Sequence, residues 1–365
     1  MNLLLVIFLL IAFAYFTLLH FVFWGLKRLR IKEKTTQPHV SVVIAARNES
    51  RRIVPTLDSL LNLDYPLERY EVIFVDDGST DDTARVIESY VQKQPNWKLI
   101  RLRSREDFAS GKKRALKEGI QQARGTLIFT TDADCRVPSG WLKYMSAYFE
   151  PQVAMVLGYS PLKRMKGPLN LLLQFDNLYS AIMAAAPTMW GFPLTSVGRN
   201  LAYRKDVYMQ VGGFDALKNH RSGDDVYLTE RFRLKSGYQI TFCAHPQTFV
   251  ETLPPTTFTQ FWHQQIRKNS KTLRKSWDTT LFSLLGFLVY AYLWLLPVLA
   301  PELLLPWAMV IVLKLFAEFI TLRKAAVLFR KKWLIPYLPF FQILYPLYIT
   351  FFTLLGLFQA YQWKK

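Results

Sequence analysis

Cysteine is nearly absent: Cys135 and Cys243 are the only two in 365 residues, too few for a disulfide scaffold or a Cys-rich zinc site. Acidic residues are also scarce, 27 against 46 Lys plus Arg, which leaves a formal net charge of +19. No Gly-x-Ser-x-Gly elbow occurs, so the usual signature of a serine hydrolase is missing. There is no internal repeat or low-complexity segment, and a hydrophobic content of 51% excludes disorder and a collagen-like fibre.

The chain has instead apolar blocks at its two ends. Residues 3–26 carry no charge and as a helix would be about 36 Å long, enough for the roughly 30 Å hydrocarbon core of a bilayer. The cluster Lys27, Arg28, Arg30, Lys32 and Lys34 follows this run rather than preceding it, the pattern of an uncleaved anchor and not of a secretory signal. Towards the other end, residues 281–300 and 333–363 are uncharged. Residues 303–322 are interrupted only by Lys314 and Glu318, four apart on one helical face, where they can pair and orient a helix. One N-terminal and about three C-terminal transmembrane helices are therefore expected.

Basic residues crowd after the first span and again at Arg323, Lys324, Arg330, Lys331 and Lys332, whereas the turn at Pro301 and Glu302 has none. The positive-inside rule then predicts a multi-pass protein of the cell membrane with its middle region cytoplasmic. Four complete spans would leave Lys364 and Lys365 outside, a conflict that disappears if the last segment, broken by Pro336, Pro339 and Pro346, stops short of crossing. Anionic leaflets attract juxtamembrane Lys and Arg, which accounts for the basic clusters without nucleic acid as a partner. The expected organisation is an anchor over 1–27, a cytoplasmic domain over 38–255, an amphipathic interface helix over 256–278 and a transmembrane region over 279–365.

The cytoplasmic part alternates short β-branched runs with helical stretches. Residues 40–46, 71–75, 97–102 and 126–130 read as strands, and 51–63, 81–92 and 111–124 as helices between them. This βαβαβαβ order, with near-continuous apolar strands, predicts a parallel sheet covered on both faces. Such α/β sheets bind ligands beyond the carboxyl ends of their strands. Polar residues collect at three of those ends: Ala46, Arg47, Asn48 and Glu49 after the first strand, Asp76, Asp77, Ser79 and Asp81 after the second, Asp132 and Asp134 after the fourth. Ser79 and Asp81 suit helix capping. Adjacent Asp76 and Asp77, directly on an apolar strand, are costly there without a partner. Asp132 and Asp134, one residue apart, point the same way from an extended backbone and repel unless a cation lies between them. A hard divalent ion, Mg²⁺ or Mn²⁺, meets that need, and would neutralise charge on a diphosphate leaving group.

These segments, in this order, resemble the membrane-bound branch of the family 2 glycosyltransferases. SVVIAARNES resembles the opening strand that holds the nucleotide, and VDDGSTDDT the following loop, where Asp77 would contact the uracil or ribose. SGKKRAL, with Gly111 and Lys112, resembles the segment near the diphosphate, and TTDADCRVPSGWL the metal-binding stretch with Asp132 and Asp134. GRNLAYRKDVYMQVGGF resembles the acceptor-side segment. SGDDVYLTERFRLKSGY resembles the Glu-Asp motif, whose second acid, the catalytic base, maps onto Asp225, with Asp224 replacing the usual Glu. HQQIRKNSK resembles the Gln-(Gln or Arg)-x-Arg-Trp motif, with Gln264, Gln265 and Arg267 in place and Lys268 where Trp is expected; Trp262 is a candidate for the missing ring.

The resemblance implies an α/β, Rossmann-like GT-A nucleotide-sugar-binding domain and an inverting glycosyl transfer from a nucleotide-diphosphate sugar, a UDP-sugar in preference to a GDP-sugar. Donor binding is expected at Ala46, Asn48, Glu49, Asp76, Asp77, Lys112, Asp132, Gln264 and Arg267. A cytoplasmic crevice bounded by membrane spans suits a lipid or lipid-linked glycan acceptor, with a processive polysaccharide synthase and a non-catalytic membrane scaffold as the alternatives. A sugar-nucleotide pyrophosphorylase would want a Gly-rich loop after the first strand, which AARNES does not supply. Independently of the family, residues 258–275 read as a basic amphipathic helix, with Phe258, Trp262 and Ile266 on one face and Gln264, Arg267, Lys271 and Arg274 on another. Residues 169–190 are a second apolar candidate for interface or core packing.

Overall fold

The computed structural model describes residues 3–33, 35–102, 109–220, 223–270 and 295–357, with residues 280, 286, 289 and 292. It divides into two compact units, Arg28–Leu253 and Met1–Lys27 with Pro254–Lys365.

In chain order, α1 (Leu3–Arg28) precedes β1 (Val40–Ala46), α2 (Val54–Leu61), β2 (Tyr70–Asp76), α3 (Thr83–Val91), β3 (Trp97–Arg101), α4 (Gly111–Gln121) and β4 (Leu127–Thr130). There follow β5 (Cys135–Arg136), α5 (Trp141–Ser146), β6 (Val153–Gly158), α6 (Pro168–Thr188), β7 (Leu201–Arg204), α7 (Lys205–Gln210), α8 (Asp224–Lys235), β8 (Gln239–Cys243) and β9 (Glu251–Thr252). Seven strands form one sheet in the order β3-β2-β1-β4-β7-β6-β8, and β5 pairs with β9 apart from it. The four strands of the first half are mutually parallel, whereas β7 runs antiparallel to both β4 and β6.

The expected βαβαβαβ half is thus present, with helices a few residues shorter than predicted. Val42, Val43 and Ile44 of β1 and Val72, Ile73 and Phe74 of β2 are fully buried, as befits central strands covered on both faces. The buried carboxylate of Glu71 is partnered, accepting from Ser41 Oγ at 2.7 Å and Arg124 N at 2.5 Å. From β1 the chain passes to β2 and β3 on one side, and β4 then returns to the other side of β1. That reversal opens a crevice at the carboxyl ends of β1 and β4.

The other unit contains α1, α9 (Phe258–Asn269), α10 (Leu304–Leu328) and α11 (Leu338–Leu357). Among the described residues three helical stretches are long and apolar enough to cross a membrane: Leu3–Arg28, Pro301–Leu328 and Lys332–Gly356. Most of the further expected span, 281–300, lies outside the described residues, as do Lys271, Arg274, Lys275 and the residues beyond 357. α11 continues through Pro346. Lys314 and Glu318 do pair, at 2.9 Å and buried, and Glu318 also accepts from Tyr15 Oη of α1 and from Gln342 Nε2 of α11 at 3.3 Å. On α9 the buried residues are Phe261, Gln265, Ile266 and Asn269. The expected stripe is therefore corrected: Phe258 is 65% exposed, while Phe261 and Trp262 pack against Phe352 of α11. The packing of α6 places Leu173, Phe175, Leu178 and Ile182 in buried positions.

Candidate active site

The loops after β1 and β2 are bonded to each other before any ligand is considered. Asn48 adopts φ 53°, a left-handed conformation that Asn tolerates better than most residues. Its N–H donates to Ser79 Oγ at 3.1 Å and its Oδ1 accepts from Thr80 N at 2.8 Å. Glu49 N–H donates to Thr83 Oγ1 at 2.8 Å, and the Glu49 carboxylate pairs with Arg52 at 2.9 Å. Asp81 does cap the start of α3, its Oδ1 accepting from Thr83 N at 3.0 Å and from Thr83 Oγ1, whereas Ser79 makes no bond to that helix among the described residues. Ser79 instead donates to Asp76, and Asp81 accepts from Ser50 N at 3.2 Å and Ser50 Oγ at 2.7 Å. These bonds tie the loop after β1 to the loop after β2. Against a desolvation effect that raises it, these bonds from Thr83 and Ser50 pull the Asp81 pKa down to about 2.

The cost of adjacent buried acids is met in two ways. Asp76 accepts from Ser79 N at 3.3 Å, and Asp77 pairs with Arg114 of α4 at 2.9 Å. Ala46 contributes its carbonyl, which accepts from Asp77 N at 2.9 Å. Burial still raises the Asp77 pKa, with Arg114 opposing it. Gly111 is required by the same contact, since a Cβ there would overlap the Asp77 carboxylate. Arg114 was not singled out in sequence, although it stands in the quoted SGKKRAL.

At the ends of β4 and α8 the acids converge on one cation. Lys112 Nζ lies 2.5 Å from Asp132 Oδ1 and 3.4 Å from Asp224 Oδ2. Desolvation in the crevice works against its charge, but the attraction of Asp132 and Asp224, with Asp225 behind them, raises its pKa further above the usual lysine value. Asp225, in the first turn of α8, is held at both oxygens: Oδ2 accepts from Gly198 N at 3.0 Å and Oδ1 from Val226 N at 2.8 Å. Gly198 in turn accepts from Thr130 Oγ1 at 2.8 Å, so one short backbone segment links the end of β4 to the Asp225 carboxylate. A Cβ on Gly198 would sit 3.3 Å from Asp224 Oδ2.

Asp132, Asp134 and Cys135 offer ligand atoms within 4.8 Å of one another. Two carboxylates suit a hard divalent cation. The thiol does not join them: Cys135 is fully buried, and burial together with the two acids pushes its pKa up to about 12. The donor set therefore fits Mg²⁺ or Mn²⁺ on the two acids, and Lys112 shows that this spot already attracts positive charge. Asp134 also faces Arg52, 3.9 Å away.

Gln264, Gln265 and Arg267 belong to α9, in the unit that carries the apolar helices, and Gln265 is buried there. Trp262 packs on Phe351 and Phe352 of the same unit.

The model of the glycosyl transferase family 2 matches residues 41–212. Residues 41–212 are a family 2 glycosyltransferase domain. Among the relatives of this domain, a Beta-monoglucosyldiacylglycerol synthase of Synechocystis sp. is 37% identical over 112 residues, 31% of this chain and 23% of that protein. A Poly-beta-1,6-N-acetyl-D-glucosamine synthase of Staphylococcus epidermidis is 27% identical over 249 residues, 66% of this chain and 57% of that protein. The chain thus spans only part of the length of both. A mannosyltransferase of Pyrobaculum calidifontis, solved with GDP-Man and Mn²⁺, is similar in fold, with TM-score 0.56 and 21% identity over 93% of this chain and 99% of its own. The family 2 domain is accordingly a GT-A-type α/β structure, accompanied by apolar helices at both ends.

Proposed function

We propose that the protein transfers a sugar, with inversion, from a nucleotide-diphosphate sugar to a lipid or lipid-linked glycan acceptor at the cytoplasmic face of the membrane. The observation that carries this reading is the position of Lys112 between Asp132 and Asp224, which puts the two-acid turn and the start of α8 on one crevice. In this scheme Asp225 takes the proton of an acceptor hydroxyl as that oxygen bonds to the anomeric carbon and the bond to the diphosphate breaks. The N–H groups of Gly198 and Val226 hold the carboxylate in place for that task. Lys112 is placed to meet charge on the departing diphosphate, and the loops around Asn48, Glu49, Asp76 and Asp77 receive the nucleoside. Asp132 and Asp134 would hold Mg²⁺ or Mn²⁺, which when bound supplies Lewis-acid stabilisation to the diphosphate oxygens. Gln264 and Arg267 remain assigned to the donor on the motif alone.

A UDP-sugar is the first choice of donor, and a GDP-sugar the second because the Pyrobaculum protein was solved with GDP-Man. The basic residues flanking the spans support the cytoplasmic orientation. The deciding experiment incubates the full-length protein in membranes with radiolabelled UDP- and GDP-sugars and separates lipid-extractable from polymeric product. Label in the lipid fraction is expected. Label in polymer would instead make the protein a processive synthase, and no incorporation together with no Mn²⁺-dependent heat of UDP or GDP binding would leave a non-catalytic scaffold.

A further inference from the structure

Among the described residues, the guanidinium of Arg199 has no carboxylate partner. Arg199 follows Gly198, the residue whose N–H holds Asp225, and precedes Asn200, which is fully buried and tied at three points. Asn200 Nδ2 donates to the carbonyls of Tyr159 and Thr248, each at 2.7 Å, and Asn200 Oδ1 accepts from Trp141 Nε1 at 3.0 Å. The backbone under Arg199 is therefore fixed on both sides.

The side chain is fixed as well. Its Nε donates to Ser160 Oγ at 2.6 Å, and the buried Ser160 hydroxyl donates onward to the Val250 carbonyl at 2.5 Å. Val250 leads directly into β9, where Thr252 pairs with Cys135 of β5, next to Asp134. The guanidinium is thus anchored one residue from the backbone N–H that holds the candidate base, through a serine tied to the strand that pairs with the two-acid turn.

Among the described residues it makes no ion pair, and its two terminal NH₂ groups make no hydrogen bond. Two other guanidinium groups of the unit are by contrast occupied: Arg114 on Asp77 at 2.9 Å, and Arg204 on the carbonyls of Val153 and Glu150 at 2.9 and 3.0 Å. A half-buried, anchored guanidinium with an open fork is the arrangement that binds a tetrahedral oxyanion in two-point fashion.

We propose that Arg199 recognises a phosphate group on the acceptor, so that the substrate class is a membrane lipid bearing a phosphate and not a neutral glyceride. The proposal rests on the transferase reading above. Two features favour the acceptor over the donor as the source of that phosphate. The donor side already has Lys112 and the acids that would hold a divalent ion. Arg199 is instead joined through Gly198 to Asp225, the group that would meet the acceptor hydroxyl. An amphiphile reaching the crevice from a bilayer carries negative charge most commonly as phosphate.

The test uses full-length protein in dodecyl maltoside, a phosphate-free detergent, and compares binding of undecaprenyl phosphate with that of undecaprenol, which differs only in the phosphate. Wild-type protein should bind the phosphate about 10- to 100-fold more tightly, the effect of a charge-assisted contact. Arg199→Gln should erase the difference and Arg199→Lys should keep part of it, while Mn²⁺-dependent binding of UDP and GDP by calorimetry stays unchanged in both and certifies the fold. Equal binding of the two lipids by wild type overturns the proposal. Loss of nucleotide binding in Arg199→Gln with retained lipid preference also overturns it and assigns the residue to the donor diphosphate. These binding results stand apart from the sugar panel: absence of transfer with every nucleotide sugar defeats the transferase reading, whatever the two lipids do.

Discussion

At the scale of single residues, the site is built from side chains whose neighbours leave them little choice. Gly111 is the sharpest case, since even a methyl group there displaces the Asp77 carboxylate from Arg114. Gly111→Ala should weaken Mn²⁺-dependent UDP or GDP binding at least tenfold and lower stability by about 1–3 kcal/mol; calorimetry and thermal unfolding read the two effects, and unchanged values of both would refute the contact. Asp81 offers a test by pH. Its folded pKa, about 2, lies below the roughly 3.9 of a free Asp. The ionised form therefore stabilises the fold fully above that free value, and the contribution is lost as pH falls towards 2. Asp81→Asn should lower stability at neutral pH and flatten the loss of stability between about pH 4 and 2, as followed by acid titration of circular dichroism. Residue roles were the part least visible in sequence. Asp132 and Asp134 stood out because neighbouring acids at a strand end need a partner, and Asp225 through its resemblance to the Glu-Asp motif, whereas Arg114 and Arg199 looked like two of many basic residues. Only in the fold does one meet Asp77 while the other keeps an open fork.

At the scale of elements, the first half of the sheet was legible because buried parallel strands are uninterrupted apolar runs and their helices carry a 3.6-residue period. β7 was not, because nothing in LAYR signals that the strand enters antiparallel between β4 and β6. The face of α9 was misplaced for a similar reason: Phe258 and Phe261 differ by one turn, and only the aromatic side chains of α11 decide which is covered. Close packing of these two helices depends on Gly356, where a Cβ would lie 2.8 Å from Ser270 N. Gly356→Val should therefore loosen α9 from α11, raising hydrogen exchange across residues 258–270; unaltered exchange would contradict that packing. Within α10, Lys314→Met alone strips a buried carboxylate of its cation and should destabilise by about 3–5 kcal/mol, while Lys314→Met with Glu318→Leu should recover much of it. Unfolding in detergent micelles compares the two, and an additive double variant would argue against the ion pair.

At the scale of the whole molecule, the composition carried the general class of protein. A net charge of +19 with apolar blocks at both ends reads as membrane and not nucleic acid, and the three apolar helices agree. In the proposed reading the family 2 domain supplies the transferase chemistry. What composition does not encode is the meeting of distant segments: Lys112 touches Asp132, twenty positions on, and Asp224, far beyond it, through the folding of α4, β4 and α8 onto a common rim. Transfer as proposed requires that rim to act as one catalytic centre. The most direct test is the rate of sugar transfer by Asp225→Asn, with the donor identified from the UDP- and GDP-sugar panel and Mn²⁺-dependent nucleotide binding checked on the same sample. The expected result is a loss of about 10²- to 10⁴-fold with binding unchanged; turnover near the wild-type rate would show that the proton leaves by another route and that Asp225 is not the base.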